Sequence, residues 1–226
     1  MKKTKKLIII GDSAFAEVAF ECVTCDSQYE VVAFAVESAY LKRATLFGLP
    51  VLALEEIEMH FKQEEVDFYV ATVYTQLNRL RTRLFREMKM RGYQPASYVS
   101  SRANVWRNVM LGEHCFIFED NTVQPFVTIG NNSVLWSGNH IGHHSVVEEN
   151  CFIASHAVIS GFCRIGRNSF VGVNATIAND VTIGADNWIG LGVTIAKSTA
   201  PNQLYKGPRH EPAEKTATEF FKVPQE

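Results

Sequence analysis

The sequence contains no long apolar run and no excess of charge of one sign. Within its 226 residues, no apolar stretch approaches the roughly 20 residues of a membrane-spanning helix. The formal net charge is only -2, which argues against general binding to nucleic acid or to an anionic membrane. The apolar run at residues 7–10 follows a basic start, yet it is too short for the hydrophobic region of a secretory signal. We therefore interpret it as the first strand of a cytoplasmic protein.

Cysteine is sparse and forms no recognisable metal-binding or redox pattern. There are five cysteines. The single C-x-x-C, at Cys22 and Cys25, has no second pair and no thioredoxin-like context. We interpret this pair as helix packing and expect no metal. The cysteine usage also favours the cytosol.

A strict six-residue repeat dominates the second half of the chain. Every sixth residue from Val105 to Ile195 is aliphatic, which gives 16 positions in register. The fourth position after the aliphatic is mostly small, and Cys115, Cys151 and Cys163 occupy it. This period is typical of a parallel β-helix, in which about three hexads close one triangular coil. We predict about five coils, with the aliphatic side chains inside and the cysteines buried.

The first hundred residues indicate a small Rossmann-like α/β domain. The apolar strand near residues 7–10 is followed by an amphipathic segment at about 14–25 and a second strand at 29–36. Such a βαβ unit predicts an open parallel sheet. Further predicted elements are a helix at 54–62, a strand at 66–71, a helix at 76–91 and a short strand at 94–99. The arginines of the helix at 76–91 are interpreted as a solvated face.

The turn after the first strand carries Gly11, the one glycine left of a G-x-G-x-x-G pattern. A strand-to-helix turn of this kind can hold an anion on backbone N–H groups, or it can be a plain tight turn. Glu37, at the end of the second strand, stands where an acid can contact a ribose or a base. It can equally be a solvated loop residue.

Histidines cluster inside the repeat, at His140, His143, His144 and His156. His143 is the third residue of its hexad and is expected to point outward. An exposed imidazole can act as a general base near pH 7. Two other interpretations stay open. One is a surface or subunit-contact histidine, and the other is a zinc site shared between subunits, as in β-helix enzymes that hydrate carbon dioxide.

The whole combination resembles the sugar acetyltransferases of the sialic-acid O-acetyltransferase and bacillosamine-type N-acetyltransferase family. The residues that carry the resemblance are IIIGDSAFA at 8–16, IGHHS at 141–145, ISG at 159–161 and VGVN at 171–174. The resemblance implies a nucleotide-sugar-binding α/β domain at 1–100, a left-handed parallel β-helix at 101–200 and a tail at 201–226. It also implies a homotrimer.

The same resemblance implies acetyl-CoA as co-substrate and a nucleotide-linked amino sugar as acceptor, with a UDP-linked 4-amino sugar expected. His143 would be the base, followed by His144 where relatives often carry an acid. The residues implied to hold the nucleotide sugar are Gly11, Asp12, Ser13 and Glu37. The residues implied to line the acetyl-CoA channel are Gly161, Val173 and Leu191, and Lys197 is one candidate cation for the phosphates of CoA.

The expected chemistry is direct attack of the acceptor on the thioester. His143 takes the proton and a backbone N–H stabilises the oxyanion. Because the attack is direct, no serine or cysteine nucleophile is required. Cys151 is expected to face inward, where it could not act as one. Sugar O-acetylation is the first alternative. A zinc-dependent hydratase and a trimeric scaffold without catalytic activity are alternatives of other classes.

Overall fold

The chain forms an α/β sheet first and a β-helix second. The computed structural model describes residues 2–208 and 211–224. Arg209, His210 and the last two residues of the tail expected at 201–226 lie outside the described residues. No helix among those described is both long and apolar enough to cross a membrane.

The N-terminal part is a six-stranded sheet in the order β3-β4-β2-β1-β5-β6. All neighbours are parallel except the β3–β4 hairpin. Its strands are β1 (Lys5–Ile10), β2 (Tyr29–Val36), β3 (Thr45–Leu46), β4 (Leu49–Ala53), β5 (Asp67–Val70) and β6 (Gln94–Pro95). Its helices are α1 (Ala14–Asp26), α2 (Ile57–His60) and α3 (Arg79–Met90), with single 3₁₀ turns at Ser38–Tyr40 and Leu54–Glu56. The predicted open parallel sheet is confirmed.

Helix α3 begins at Arg79, three residues later than predicted. The reason is local, because Gln76, Leu77 and Asn78 all adopt left-handed backbone angles, with φ of 53°, 50° and 67°. Residues with a side chain rarely hold this conformation, and three in succession cannot continue a right-handed helix. This turn lies against the β-helix, where Asn78 Nδ2 donates to the carbonyls of Asn168 and Ser169.

The C-terminal part is a left-handed parallel β-helix, as predicted. Strands of two residues alternate with corners of four, and residues 18 apart pair in register, as Ile141 does with Ile159.

The first face holds β7 (Tyr98–Val99), β10 (Phe116–Ile117), β13 (Val134–Leu135), β16 (Phe152–Ile153), β19 (Phe170–Val171), β22 (Trp188–Ile189) and β24 (Leu204–Tyr205). The second face holds β8 (Asn104–Val105), β11 (Thr122–Val123), β14 (His140–Ile141), β17 (Val158–Ile159), β20 (Thr176–Ile177) and β23 (Thr194–Ile195). The third face holds β9 (Met110–Leu111), β12 (Thr128–Ile129), β15 (Val146–Val147), β18 (Arg164–Ile165) and β21 (Thr182–Ile183). A short helix, α4 (Ala217–Phe220), follows in the tail.

The repeat aliphatics from Ile117 to Ile195 fill the interior of this prism, and Cys115, Cys151 and Cys163 are buried beside them, as predicted. Leu111, in the first coil, departs from the prediction because it is 38% exposed. From His114 to Gly192, each corner turns through a residue with positive φ at the third position after the aliphatic, such as Asn150 (φ 60°) and Asn168 (φ 59°). Asparagine tolerates this conformation better than most residues because its side chain can hydrogen-bond locally.

The α/β part packs on the first face of the β-helix. Phe15 of α1 contacts Phe116, Phe118 and Trp136, with ring centroids 5.7, 6.2 and 5.1 Å away. Aromatic pairs of this kind add to the burial of apolar area. The two parts of the chain therefore share one apolar cluster rather than being joined by a linker alone.

Candidate functional site

His143 lies on the corner between the second and third faces, which we call the histidine corner (residues 142–145 with 124–127 and 160–163 in the adjacent coils). Its side chain is exposed, as predicted. The backbone N–H of His143 donates to Gln124 Oε1 over 2.9 Å. The ring meets Phe162 edge-on, at 5.0 Å and 87°. Its Nδ1 lies 3.1 Å from Nδ1 of His144. The imidazole therefore contacts Phe162 and His144, while the residue as a whole stays exposed.

Gly161 provides the space that the His143 ring occupies. It lies one coil beyond His143 and is buried. A Cβ at this position would stand 2.8 Å from Cε1 and 3.0 Å from Nε2 of His143. Those distances are shorter than any ordinary carbon contact, so a side chain here would displace the ring. Gly161, expected from resemblance to line a channel, thus also sets the position of the imidazole.

The buried cysteines Cys151 and Cys163 of the β-helix do not supply a nucleophile. Burial raises the pKa of the Cys151 thiol to about 12 and also raises the pKa of Cys163. The nucleophilic form is the thiolate, which a raised pKa disfavours. Both sulfurs point into the prism, as the repeat pattern predicted.

The four residues expected to hold a nucleotide sugar line one cavity of about 500 Å³ in the α/β part. Gly11 has a φ of 125°, and a Cβ there would approach the Ala71 carbonyl oxygen to 2.9 Å. Only glycine allows the end of β1 to pass so close to the end of β5. Ser13 is the N-cap of α1, so the unpaired first-turn N–H groups of that helix begin at the cavity. Glu37 reaches the same cavity from the end of β2.

The arginines of α3 were interpreted from the sequence as a solvated face, and this is wrong for Arg81, which is fully buried. Arg83 lines the cavity and its Nη2 lies 2.9 Å from Glu37 Oε2. Asp12 pairs with Arg43 at 3.5 Å. The sequence contained no local signal for these partners because they come from separate elements. The two acids of the cavity are therefore each neutralised by an arginine.

The residues expected to bind acetyl-CoA divide between two corners. Lys197 follows β23 and falls in the same column of the histidine corner as His143 and Gly161. Val173 and Leu191 lie instead on the corner between the first and second faces. Both are exposed, by 44% and 63%, although each is aliphatic.

The cavity and His143 do not lie together within one copy of the chain. The α/β part covers the first face, while the histidine corner is the corner of the triangular prism opposite that face. In the described parts of the chain, every residue that lines the cavity comes from the α/β part. No three histidine, cysteine, aspartate or glutamate side chains there are grouped for a metal ion.

The repeat and the corner geometry define the class of fold, a hexapeptide-repeat β-helix joined to an α/β sheet. Residues 126–161 match the bacterial transferase hexapeptide family (six repeats). No curated protein matches the chain.

Several solved structures are similar to this chain along most of its length. A mutant of perosamine N-acetyltransferase from Caulobacter crescentus, in complex with CoA and GDP-perosamine, is 25% identical with a TM-score of 0.80, covering 88% of this chain and 92% of that one. The acetyltransferase domain of PglB from Neisseria gonorrhoeae is 21% identical with a TM-score of 0.81, covering 89% and 96%. WeeI from Acinetobacter baumannii is 19% identical with a TM-score of 0.70, covering 89% and 96%. The similarity spans both parts of the chain, and the predicted resemblance to bacillosamine-type acetyltransferases is confirmed.

Proposed function

We propose that this protein is an acetyl-CoA-dependent N-acetyltransferase that acts on a nucleotide-linked amino sugar. The observation that carries the proposal is the pairing of two features in one chain. One is an exposed imidazole, His143, seated over Gly161 on a hexapeptide β-helix. The other is the cavity of Gly11, Asp12, Ser13 and Glu37. The similarity to a perosamine N-acetyltransferase over both parts supports the same function.

In the proposed reaction the sugar amine attacks the thioester carbonyl directly. The new N–C bond forms first and gives a tetrahedral oxyanion, while His143 Nε2 takes the amine proton. The C–S bond then breaks, and the proton passes from His143 to the departing CoA sulfur. Positioning of two bound substrates and one general base accounts for catalysis of this kind. Gly161, Val173, Leu191 and Lys197 are the proposed contacts of acetyl-CoA. Because acetyl-CoA and nucleotide sugars are cytoplasmic metabolites, we also propose a cytoplasmic location.

The separate α/β cavity favours an acceptor that carries a diphosphate and a base. A free sugar has neither group to place there. UDP is the nucleotide expected from the family resemblance. GDP is the second candidate, because the crystal structure of the perosamine enzyme holds GDP-perosamine. A free amine suits a single histidine base, whereas a hydroxyl acceptor requires more activation. For that reason N-acetylation is preferred to O-acetylation.

The placement of His143 supports a homotrimer with shared sites. Since the α/β part that holds the cavity covers the first face and the base lies on the opposite corner, an acceptor bound in one copy would meet the base of another copy. Cyclic assembly of identical chains brings such distant surfaces together. The zinc-dependent hydratase and the trimeric scaffold without catalytic activity are the alternative functions that the experiment must distinguish from the acetyltransferase.

The test is release of CoA thiol by purified protein offered acetyl-CoA with UDP-, dTDP- and GDP-linked 4-amino sugars, and with free and CMP-linked sialic acid. We expect turnover with one of the amino sugars. His143→Ala should lower kcat roughly 10²–10⁴-fold, the range for loss of a general base, and leave CoA affinity unchanged. His156→Ala, a change of another exposed histidine, is the matched control. Turnover with sialic acid alone, or none with any amino sugar, would overturn the proposal.

A further inference from the structure

His144 is clamped between two aromatic rings on the outside of the β-helix. Phe126 stacks on one side of its imidazole, with centroids 4.7 Å apart and planes at 26°. Phe162 stacks on the other side, at 4.9 Å and 17°. The three residues are 18 apart and so occupy one column of the histidine corner. Stacking on both faces fixes the plane of the imidazole.

This arrangement is not required by the fold. Phe126 and Phe162 are 60% and 51% exposed, so neither fills the core. Both hold the left-handed backbone of the corner, with φ of 66° and 58°. The other corners from His114 to Gly192 place Asn, Asp, His or Gly at this left-handed position, and those residues adopt it more readily than phenylalanine does. Two phenylalanines at such positions, each against the same imidazole, indicate a positioning role.

The clamped ring is aimed at His143. The two Nδ1 atoms are 3.1 Å apart, which is a hydrogen bond in which one nitrogen must donate and the other must accept. If Nε2 of His143 takes a proton from the acceptor, its Nδ1 carries the hydrogen. Nδ1 of His144 must then be bare, with its own proton on Nε2. One choice of tautomer satisfies both the geometry and the proposed role of His143.

We propose that His144 is a positioning residue that fixes the tautomer and the orientation of His143. The neutral imidazole, held by Phe126 and Phe162, accepts from Nδ1–H of His143 and keeps Nε2 of His143 free to receive a proton. The proposal rests on the proposed function of His143. A carboxylate would do the same task with a charge, whereas here the partner is neutral and rigid stacking replaces electrostatic attraction.

Two variants of the intact protein separate the hydrogen bond from the packing. His144→Phe keeps an aromatic ring between Phe126 and Phe162 but removes the acceptor. His144→Asn restores an acceptor oxygen. We expect His144→Phe to lower kcat on the order of 10- to 100-fold, the usual loss when the partner that orients a functional histidine is removed. KM for both substrates and the thermal midpoint should stay unchanged, and His144→Asn should recover most of kcat.

The clamp and the tautomers can be tested separately. Phe162→Leu should lower kcat to a value between wild type and His144→Phe. Nitrogen-15 spectra of the imidazoles should place the proton of His143 on Nδ1 and that of His144 on Nε2, and His144→Phe should abolish the preference of His143. These spectra do not depend on turnover, so a protein with the expected tautomers but no acetyltransferase activity would refute the proposed function and not the contact. Full kcat in His144→Phe, or a proton on Nε2 of His143 in the wild type, would refute the positioning role.

Discussion

Arg81 of α3 donates from Nε to the side-chain oxygen of Asn132 on the β-helix, over 3.1 Å. Its Nη2 donates to the carbonyls of Asn132 and Cys151, at 3.0 and 3.2 Å. The guanidinium is fully buried, and burial lowers the pKa of Arg81. The oxygens that accept these hydrogen bonds are all neutral. The contact between the two parts of the molecule thus depends on a buried cation held by amide groups.

Replacement of Arg81 should weaken the junction between the two parts. Arg81→Ala removes three buried hydrogen bonds and leaves a cavity behind, so we expect the free energy of unfolding to fall by about 3–5 kcal/mol. Urea denaturation is the measurement. Arg86→Ala, an exposed arginine on the same helix, is the matched control and should change stability by less than about 0.5 kcal/mol. Equal effects of the two substitutions would contradict the prediction.

His114 belongs to the same junction and predicts a pH dependence of stability. Its Nε2 accepts from the backbone N–H of Val70 over 2.8 Å, and its Nδ1 lies 2.9 Å from Asn132 Oδ1. Burial lowers the pKa of His114 from 6.5 to about 3. Near pH 6, His114 therefore binds a proton in the unfolded chain but not in the folded chain. Stability is full above about pH 6.5 and falls as the pH drops toward 3.

The size of this effect is on the order of 2 kcal/mol between about pH 7 and pH 5, since each unit of pKa difference corresponds to about 1.4 kcal/mol. His114→Gln should reduce the slope of unfolding free energy against pH in this interval. His60→Gln, a change at the end of α2, serves as the comparison, because His60 is exposed. A slope that is the same in His114→Gln and wild type would show that His114 is not the group that titrates.

The β-helix could be predicted in detail because its information is local. Each hexad carries its own inward aliphatic, so burial of Ile141 or Ile159 follows from the register alone. The junction could not be predicted in this way. Arg81 meets Asn132 across 51 residues and Val70 meets His114 across 44, and neither pair shows a pattern until the two parts are docked.

The histidine corner could be predicted only in part. His143 could be predicted as exposed because its place in the hexad is fixed. The clamp of Phe126 and Phe162 was missed, although writing the repeat in rows of three hexads aligns both with His144. The pairing of Nδ1 atoms could not be foreseen from spacing, because it depends on side-chain rotation about a left-handed backbone.

Gly161 should be sensitive to substitution through the histidine rather than through the fold. In Gly161→Ala the new methyl displaces the side chain of His143, which is exposed and can yield where backbone could not. We expect kcat to fall roughly 10- to 100-fold, the cost of a misplaced catalytic group, with little change in thermal midpoint.

Gly166→Ala provides the contrast. There a Cβ would stand 2.5 Å from the backbone nitrogen of Ala185, which cannot rotate away. We expect a loss of about 1–3 kcal/mol of stability, as for overpacking of a well-packed interior. Unfolding curves and steady-state rates on both variants test the pair. A Gly161→Ala protein that melts early but turns over normally when folded would contradict this account of the site.

The last prediction concerns the sharing of sites between copies. His143→Ala removes the proposed base and leaves the cavity intact. Ser13→Trp places a large ring at an exposed position of the cavity wall and leaves the base intact. Each variant alone should be inactive as a homo-oligomer. If base and cavity of one site come from different copies, oligomers assembled from equal amounts of both variants contain some sites with both parts intact.

A doubly tagged trimer contains both variants, and one of its three sites then joins an intact base to an intact cavity, so about one third of the sites should be active. The two variants would be produced together with different affinity tags, and only doubly tagged oligomers assayed. Mixing the separately purified variants without subunit exchange is the control and should give no turnover. Inactivity of the doubly tagged oligomers would show that base and cavity act within one copy. Because His143 stands opposite the face that the α/β part covers, such a result would require the α/β part to leave the first face during the reaction.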